Sequence, residues 1–528
     1  MLREAAYYSR MASGLGQLLR APHADDPESV ISSQLHNREA AFLQTVRQVI
    51  FENPLHPYCA MFRLAGCGYE DFAAKVRQDG LETALEAIRA QGVRLSHDEF
   101  KGKTAIVRSG RHIPSDERSF LNPLATGRME STSSGSRSAG TVTRQNVRNQ
   151  VYRECYFALA AKEFSLRERK RIVLMPTLPS TAGLLSCAHL SRHGASAERW
   201  FTTGGTARTA GHYQIMTRLL VLEARLMRAD VPYPIQLPAN DFSPVAKWIA
   251  RRRTEGASFV VSSMVSAAVR VAAAAVEKGL DIRGTLFQVG GEALSDAKRA
   301  VLEEAGAEVA PFYFINELGN IGHSCRQMRT GNSVHLFSDA IAAINHRRRA
   351  PLSETDVDSL LFTTLLPSAP RLLINVEMDD SGIVEPAGCD CTYSRIGLTR
   401  SVRQIFSFGK LTGLGMTLVG SELTRVLEEA LPARCGGRPG DYQLIEREGA
   451  AQTQLVLRVS PRARPPSVEQ VRECFLGEIR RYYGGTLASR VWRHAEAVEV
   501  VVAEPFATAT GKVLSLHLLG TGGNHHAS

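Results

Sequence analysis

Residues 284–322 read GTLFQVGGEALSDAKRAVLEEAGAEVAPFYFINELGNIG. Leu286, Phe287 and Val289 form a short apolar run with strand character that stops at Gly290-Gly291-Glu292. Ser295 then stands where a helix needs a cap, and Glu308 to Tyr313 reads as a second strand running into Phe314-Ile315-Asn316-Glu317. Strand, helix and strand in this order make one unit of a parallel sheet, whose ligands sit beyond the carboxyl ends of the strands. The Gly-Gly-Glu turn and Glu317 are therefore expected to face one crevice, of a kind that suits a nucleotide.

The same alternation extends upstream. A helix from Asn146 (Val151, Cys155, Leu159) leads to a strand at Arg171–Met175, followed by a helix at Val245–Arg253, a strand at Ser258–Val261 and an apolar helix at Met264–Glu277. Strands alternating with helices of this length predict an α/β fold with a largely parallel sheet. From Val30 to Ala90 apolar residues recur at helical spacing, so residues 1–110 read as a helical subdomain with no visible chemistry. Its first 30 residues mix Gly, Pro and Asp and are expected to be a mobile lead-in.

Downstream, Gly409, Gly413, Gly415 and Gly420 crowd a segment in which large φ/ψ changes are cheap, the signature of a hinge. Beyond it come a helix at Leu423–Leu431, strands at Tyr442–Glu446, Gln454–Val459 and Val498–Val502, and a helix capped by Ser467. The expected organisation is α/β throughout: a large domain over 1–407, with its core in 111–407 and mixed parallel sheets, then a small mobile α/β lid over 408–528.

Composition excludes several classes. The chain of 528 residues is 44% hydrophobic and 22% charged, as soluble globular proteins are. Its formal charge of +10 is spread over separated clusters such as Arg251-Arg252-Arg253 and Arg347-Arg348-Arg349, without interleaved aromatics. Such clusters read as solvated faces, so no nucleic-acid partner is expected. The most apolar window, Phe259–Val276, is interrupted by Ser262, Ser263, Ser266 and Arg270 and is too polar for a membrane span. MLREAAYYSR does not open like a secretion signal, and nine cysteines, an odd number, argue against a disulfide framework. A cytoplasmic protein is the expectation.

Three further stretches complete an ordered set with the Gly-Gly-Glu turn and the aromatic-x-x-x-Glu strand end: Ser133-Ser134-Gly135-Ser136, SFGKLTGLGMTLVGSEL at 407–423, and Pro505-x-x-Thr508-x-Thr510-Gly511-Lys512. In this order they resemble the adenylate-forming superfamily of acyl-CoA synthetases, adenylation domains and luciferases, in its phenylacetate-CoA ligase branch. The resemblance covers residues 120–520 and is far more specific than any one member of the set.

That resemblance implies roles. Ser133, Ser134, Gly135 and Ser136 would form the phosphate loop, with Arg137 in reach of a phosphate. The residues themselves also allow a Ser-rich linker. Gly290, Gly291 and Glu292 would border the nucleotide, Tyr313 would stack on adenine with Phe314 beside it, and Asn316 would take the place of a phosphate-bonding threonine. Glu317 would hold the Mg²⁺ of ATP, a carboxylate being the hard oxygen ligand that this cation takes. Asp380 would hold the ribose, with Asp379 a competitor, and Phe408, Gly409 and Lys410 fall at the hinge pivot. Lys512 would contact the carboxylate and the α-phosphate during adenylation.

Cys325, His335, Cys389 and Cys391 offer three thiolates and an imidazole, a structural Zn²⁺ set that resembles the same branch, with His323 as substitute ligand. Their other reading is ordinary thiols and a surface histidine. The function implied is ATP-dependent activation of an acid as an acyl adenylate, then transfer to a nucleophile, CoA first. The alternatives are transfer to a carrier protein or an amine, activation of a small acid such as nitrite for diazotisation of an aryl amine, or a catalytically weakened binding protein. A homodimer is left open.

Overall fold

The computed structural model describes residues 2–125, 129–132, 142–178, 180–202, 211–238, 241–329, 331–349, 356–407, 410–411, 418–448, 453–481, 489, 492, 498–507 and 513–519. Among these, one twelve-stranded sheet organises most of the chain. Six strands are parallel neighbours in the spatial order Pro234–Gln236, Ala197–Thr202, Lys170–Leu174, Phe259–Met264, Leu286–Gly290 and Glu308–Ile315. Six more continue it in antiparallel pairing: Gly319–His323, Val334–Leu336, Arg400–Ser407, Val376–Pro386, Asp356–Thr364 and Ile341–Arg349. The strand Glu308–Ile315 is the seam between the halves, and the turn carrying Glu317 leads straight into the first antiparallel strand.

The parallel half is legible from its residues. Phe259, Val261, Phe287 and Val289 are buried with the Ala- and Val-rich helix Val265–Glu277 and with the helix Asp296–Glu304. Ser295 caps the latter helix, its hydroxyl accepting the N–H of Lys298 at 3.3 Å. Upstream, Asn146 caps the helix Val147–Glu163 through the N–H of Asn149 at 2.8 Å.

The N-terminal region is helical from Pro27 to Ala90, as its periodicity predicts. It has no core of its own. Phe42, Phe62, Phe72 and Leu85 share one cluster with Phe337, Leu361, Phe362 and Val402, so these helices cover the antiparallel half of the sheet. The mobile lead-in is overturned: Leu2–Arg20 is a helix, and Met11, Leu15 and Leu18 are buried beside Trp200 and Leu220. The i, i+4, i+7 spacing of those three residues supplies the apolar stripe. The buried Arg192 guanidinium then holds the end of the helix, donating to the carbonyls of Leu18 (2.5 Å) and Ala21 (2.9 Å).

The described residues between 418 and 519 build a separate core around Leu427, Leu444, Leu457, Phe475 and Trp492. Its four-stranded sheet has the order Val498–Val502, Thr453–Val459, Tyr442–Glu448, Leu516–Leu519. The last strand is not marked in the sequence because its four residues, Leu-His-Leu-Leu, are too short and too evenly apolar to show an alternation. Among the described residues no helix is long and apolar enough to cross a membrane.

Candidate functional site

At the seam, the first glycine of the Gly-Gly-Glu turn has a packing reason. A Cβ on Gly290 would stand 2.4 Å from the Phe312 ring, so only glycine lets the neighbouring strand lie this close. Gly291 follows at φ +79°, a left-handed conformation that suits glycine. Beyond Phe312 the strand carries Tyr313, whose hydroxyl donates to Asp380 Oδ2 at 2.5 Å. Tyr313 and Asp380, read separately for adenine and ribose, are thus in direct contact. Burial and the Asp380 carboxylate both push the Tyr313 phenol well above its usual range, so it stays protonated and donates. The competitor Asp379 turns elsewhere: its carboxylate lies 3.4 Å from His97 Nδ1, on a backbone at φ +59°.

Glu317 is buried in the turn after the seam strand, at 5% exposure. Its Oε1 accepts from the Lys101 ammonium at 2.6 Å, and Lys101 also lies 3.7 Å from Glu117. Lys101 closes the short helix His97–Phe100, which is set by a capping box between Ser96 and Glu99. Nothing in Lys101-Gly102-Lys103 marks it in the sequence, since a lysine in a polar loop looks solvated. The helical subdomain therefore reaches Glu317: its Lys101 ammonium neutralises the carboxylate read as the Mg²⁺ ligand.

Glu292 is engaged with the protein itself. Its carboxylate accepts the Ser266 N–H (2.6 Å) and hydroxyl (2.9 Å), capping the helix Val265–Glu277, and the N–H of Val513 at 2.9 Å. Val513 directly follows Lys512 in the chain. Ser133, Ser134, Gly135, Ser136, Arg137, Phe408, Gly409 and Lys512 lie outside the described residues. Met129–Thr132 and Val142–Gln145, on either side of those serines in the sequence, pair antiparallel. Lys410 opens a two-residue strand paired with Val419. Asn316 sits partly buried between Phe314 and Glu317.

Cys325, His335, Cys389 and Cys391 converge, their ligand atoms all within 4.8 Å of one another. Sulfur–sulfur distances of 3.9 Å (Cys325–Cys389) and 3.7 Å (Cys389–Cys391) match the edge of about 3.8 Å that a tetrahedron with Zn–S bonds of ~2.3 Å requires. His335 Nε2 lies 3.3 Å from Cys389 Sγ and 3.1 Å from Cys391 Sγ, while its Nδ1–H donates to the Leu398 carbonyl at 2.9 Å. That second bond leaves the Nε2 lone pair turned to the thiols, as a zinc histidine needs. His323 is not in the cluster. It is buried among Phe157, Phe312 and Phe337, and burial, then Arg153, pulls it down to about 3, so it is neutral.

No protein-family model matches the chain, and no curated protein does. Solved acyl-CoA ligases overlap it. A 2-hydroxyisobutyryl-CoA ligase in the postadenylation state, in complex with R3-HIB-AMP, is 17% identical, over 94% of this chain and 93% of that one, at a TM-score of 0.48. O-succinylbenzoate coenzyme A synthetase from Bacillus subtilis, in complex with ATP and magnesium ion, is 12% identical over 74% of this chain and 70% of that one, at 0.40. ATP-bound MatB from Rhodopseudomonas palustris is 12% identical over 73% and 66%, also at 0.40. The functional reading rests on the site.

Proposed function

We propose that the protein is an ATP-dependent, AMP-forming ligase that activates a small acid as its adenylate and passes it to a nucleophile, the thiol of CoA first. An acid oxygen attacks the α-phosphorus of ATP, the bond from that phosphorus to the bridging oxygen breaks, and pyrophosphate leaves with the electron pair. The thiol then attacks the activated centre and AMP leaves. Tyr313 would offer its ring to adenine and Asp380 its carboxylate to the ribose, exchanging their mutual hydrogen bond for bonds to the nucleoside. Glu317 would hold Mg²⁺, which when bound with ATP offsets the negative charge of the phosphates. Lys512 would do the same at the reacting phosphorus.

The observation that carries this reading is the bond from Val513 N–H to Glu292, which ties the segment after Lys512 to the turn at the carboxyl ends of the seam strands. On this reading the Lys512 ammonium of one unit would be brought to the carboxylates of the other at one end of the sheet. Acid-dependent exchange of labelled pyrophosphate into ATP tests it. Glu317→Gln is expected to lower that exchange at least ~100-fold, the loss of several kcal/mol of charge stabilisation, and to raise the Mg²⁺ concentration for half-maximal rate. Exchange that is unchanged in the variant would remove Glu317 from the metal site.

The Cys/His cluster would hold a structural Zn²⁺ that ties the strand Val334–Leu336 to the loop after Val376–Pro386. It takes no part in the reaction. Protein purified without chelator is expected to carry about one zinc per chain by elemental analysis, and Cys391→Ser to lose it with a clear fall in thermal midpoint. Metal-free protein of full stability would show the four residues to be a thiol cluster only.

A further inference from the structure

Leu318, the residue after Glu317 in the chain, lines a cavity of about 20 Å³ together with Asn320 and Ile341, opposite Asn149, Arg153 and Tyr156. One water needs about 10–15 Å³ on this measure, so the space takes a group only a few atoms across. Among the described residues Arg153 has no acidic partner. The adjacent Glu154 is used up by His189 (3.1 Å) and by Arg192 (2.5 Å). Arg153 instead lies over the rings of Phe314 (5.2 Å) and Phe157 (5.7 Å), and its Nε is buried without a hydrogen-bond acceptor. Burial alone lowers its pKa, to about 10, so it keeps its charge at neutral pH.

The opposite wall repeats the pattern. Asn320 is 8% exposed, and its Nδ2 is buried with no acceptor. It is the cross-strand partner of Phe314, so both side chains stand on one face of the sheet under the guanidinium. Two buried donor groups without acceptors, one of them cationic, are costly in an apolar wall unless an oxygen-bearing ligand satisfies them. A buried donor fork of this kind suits a planar oxyanion.

We infer that this cavity, deepening the ligase reading on which it rests, is the acid site, and that the substrate is a short, polar acid whose oxygens are held by Arg153 and Asn320. Aryl and long-chain acids exceed the space between Tyr156 and Ile341. Held by one oxygen, the anion presents the other to the α-phosphorus. The new O–P bond forms as the bond to pyrophosphate breaks, and no redox partner is needed. Arg153 and Asn320 thus select the substrate, while Glu317 and Lys512 serve the phosphates.

The test is pyrophosphate exchange with full-length protein over formate, acetate, nitrite, glyoxylate and malonate, against benzoate, phenylacetate and octanoate. Exchange confined to the short acids is expected. Arg153→Met should raise the KM for the acid at least 30-fold with the KM for ATP unchanged, and Arg153→Lys should recover part of it. Faster exchange with the aryl or long-chain acids, or an acid KM untouched in Arg153→Met, overturns the inference and leaves the ligase reading standing. If no acid supports exchange, the ligase reading falls, and the pocket is then judged by broadening of the ¹H lines of formate and acetate. Broadening that is lost in Arg153→Met upholds an anion site, and no broadening in the wild type rejects it.

Discussion

Lys512→Ala is expected to lower the rate of adenylate formation about 10³-fold, the loss that follows removal of a charge stabiliser aimed at the reacting group. Conversion of supplied adenylate and CoA to thioester should remain within a few-fold of the wild type. The asymmetry arises because the cation serves phosphorus transfer, offsetting the charge on the α-phosphoryl group and the departing pyrophosphate, whereas the charge that forms at the activated centre when a thiol displaces AMP is left to other groups. Single-turnover rates of the two half-reactions measure it. Equal loss in both would mean that the variant damages the C-terminal unit and would count against the assigned role.

Lys298→Met is expected to have the largest effect on stability. Glu428, on the helical segment after Gly420–Arg425, is 1% exposed, and its carboxylate reaches across to the large domain. It accepts from the Lys298 ammonium at 2.7 Å and from the Ser295 hydroxyl at 2.5 Å, as well as from Ser515 of its own unit at 2.5 Å. Burial disfavours the Lys298 charge, but the Glu428 and Glu292 carboxylates outweigh it and raise the lysine above its ordinary range. A raised lysine contributes stability that is complete below its unfolded pKa and fades only as pH climbs through the higher folded value. The contribution is therefore constant across neutral pH.

Removing the ammonium leaves Glu428 buried without its cation, which in comparable pairs costs about 3–5 kcal/mol. Urea unfolding should show that loss, with the segment near 408–417 cut faster by protease as the two units separate. Adding Glu428→Met should restore most of the stability, because replacing both partners by apolar groups removes the stranded charge. An unaltered urea midpoint in Lys298→Met would show that the serines alone hold the carboxylate.

Much of the fold was legible because its signals are local. The strand at Leu286, the Ser295 cap, the seam strand ending at Glu317 and the helix at Val265–Glu277 all stand where apolar periodicity and capping residues put them. The cysteine and histidine set was legible by chemistry, since few uses suit three thiols and an imidazole in that order, and their convergence is as expected. The lead-in departs from expectation because Gly, Pro and Asp near residues 13–27 are loop signals, whereas burial of the stripe of Met11, Leu15 and Leu18 outweighs them.

What the sequence by itself determined is therefore the alternation of elements and the residue types available at the ends of the seam strands. Which of those residues face one another was decided only in three dimensions. Lys101 meets Glu317 across 216 positions of chain, Val513 meets Glu292 across 221, and Arg153 is left over Phe314 because Glu154 is taken by Arg192. The physical reason is that periodicity and capping are set by neighbours within a turn or two. Charge pairing, and the absence of it, is set by which distant surfaces the core presses together, and a lysine or arginine carries no local mark of the partner it will find.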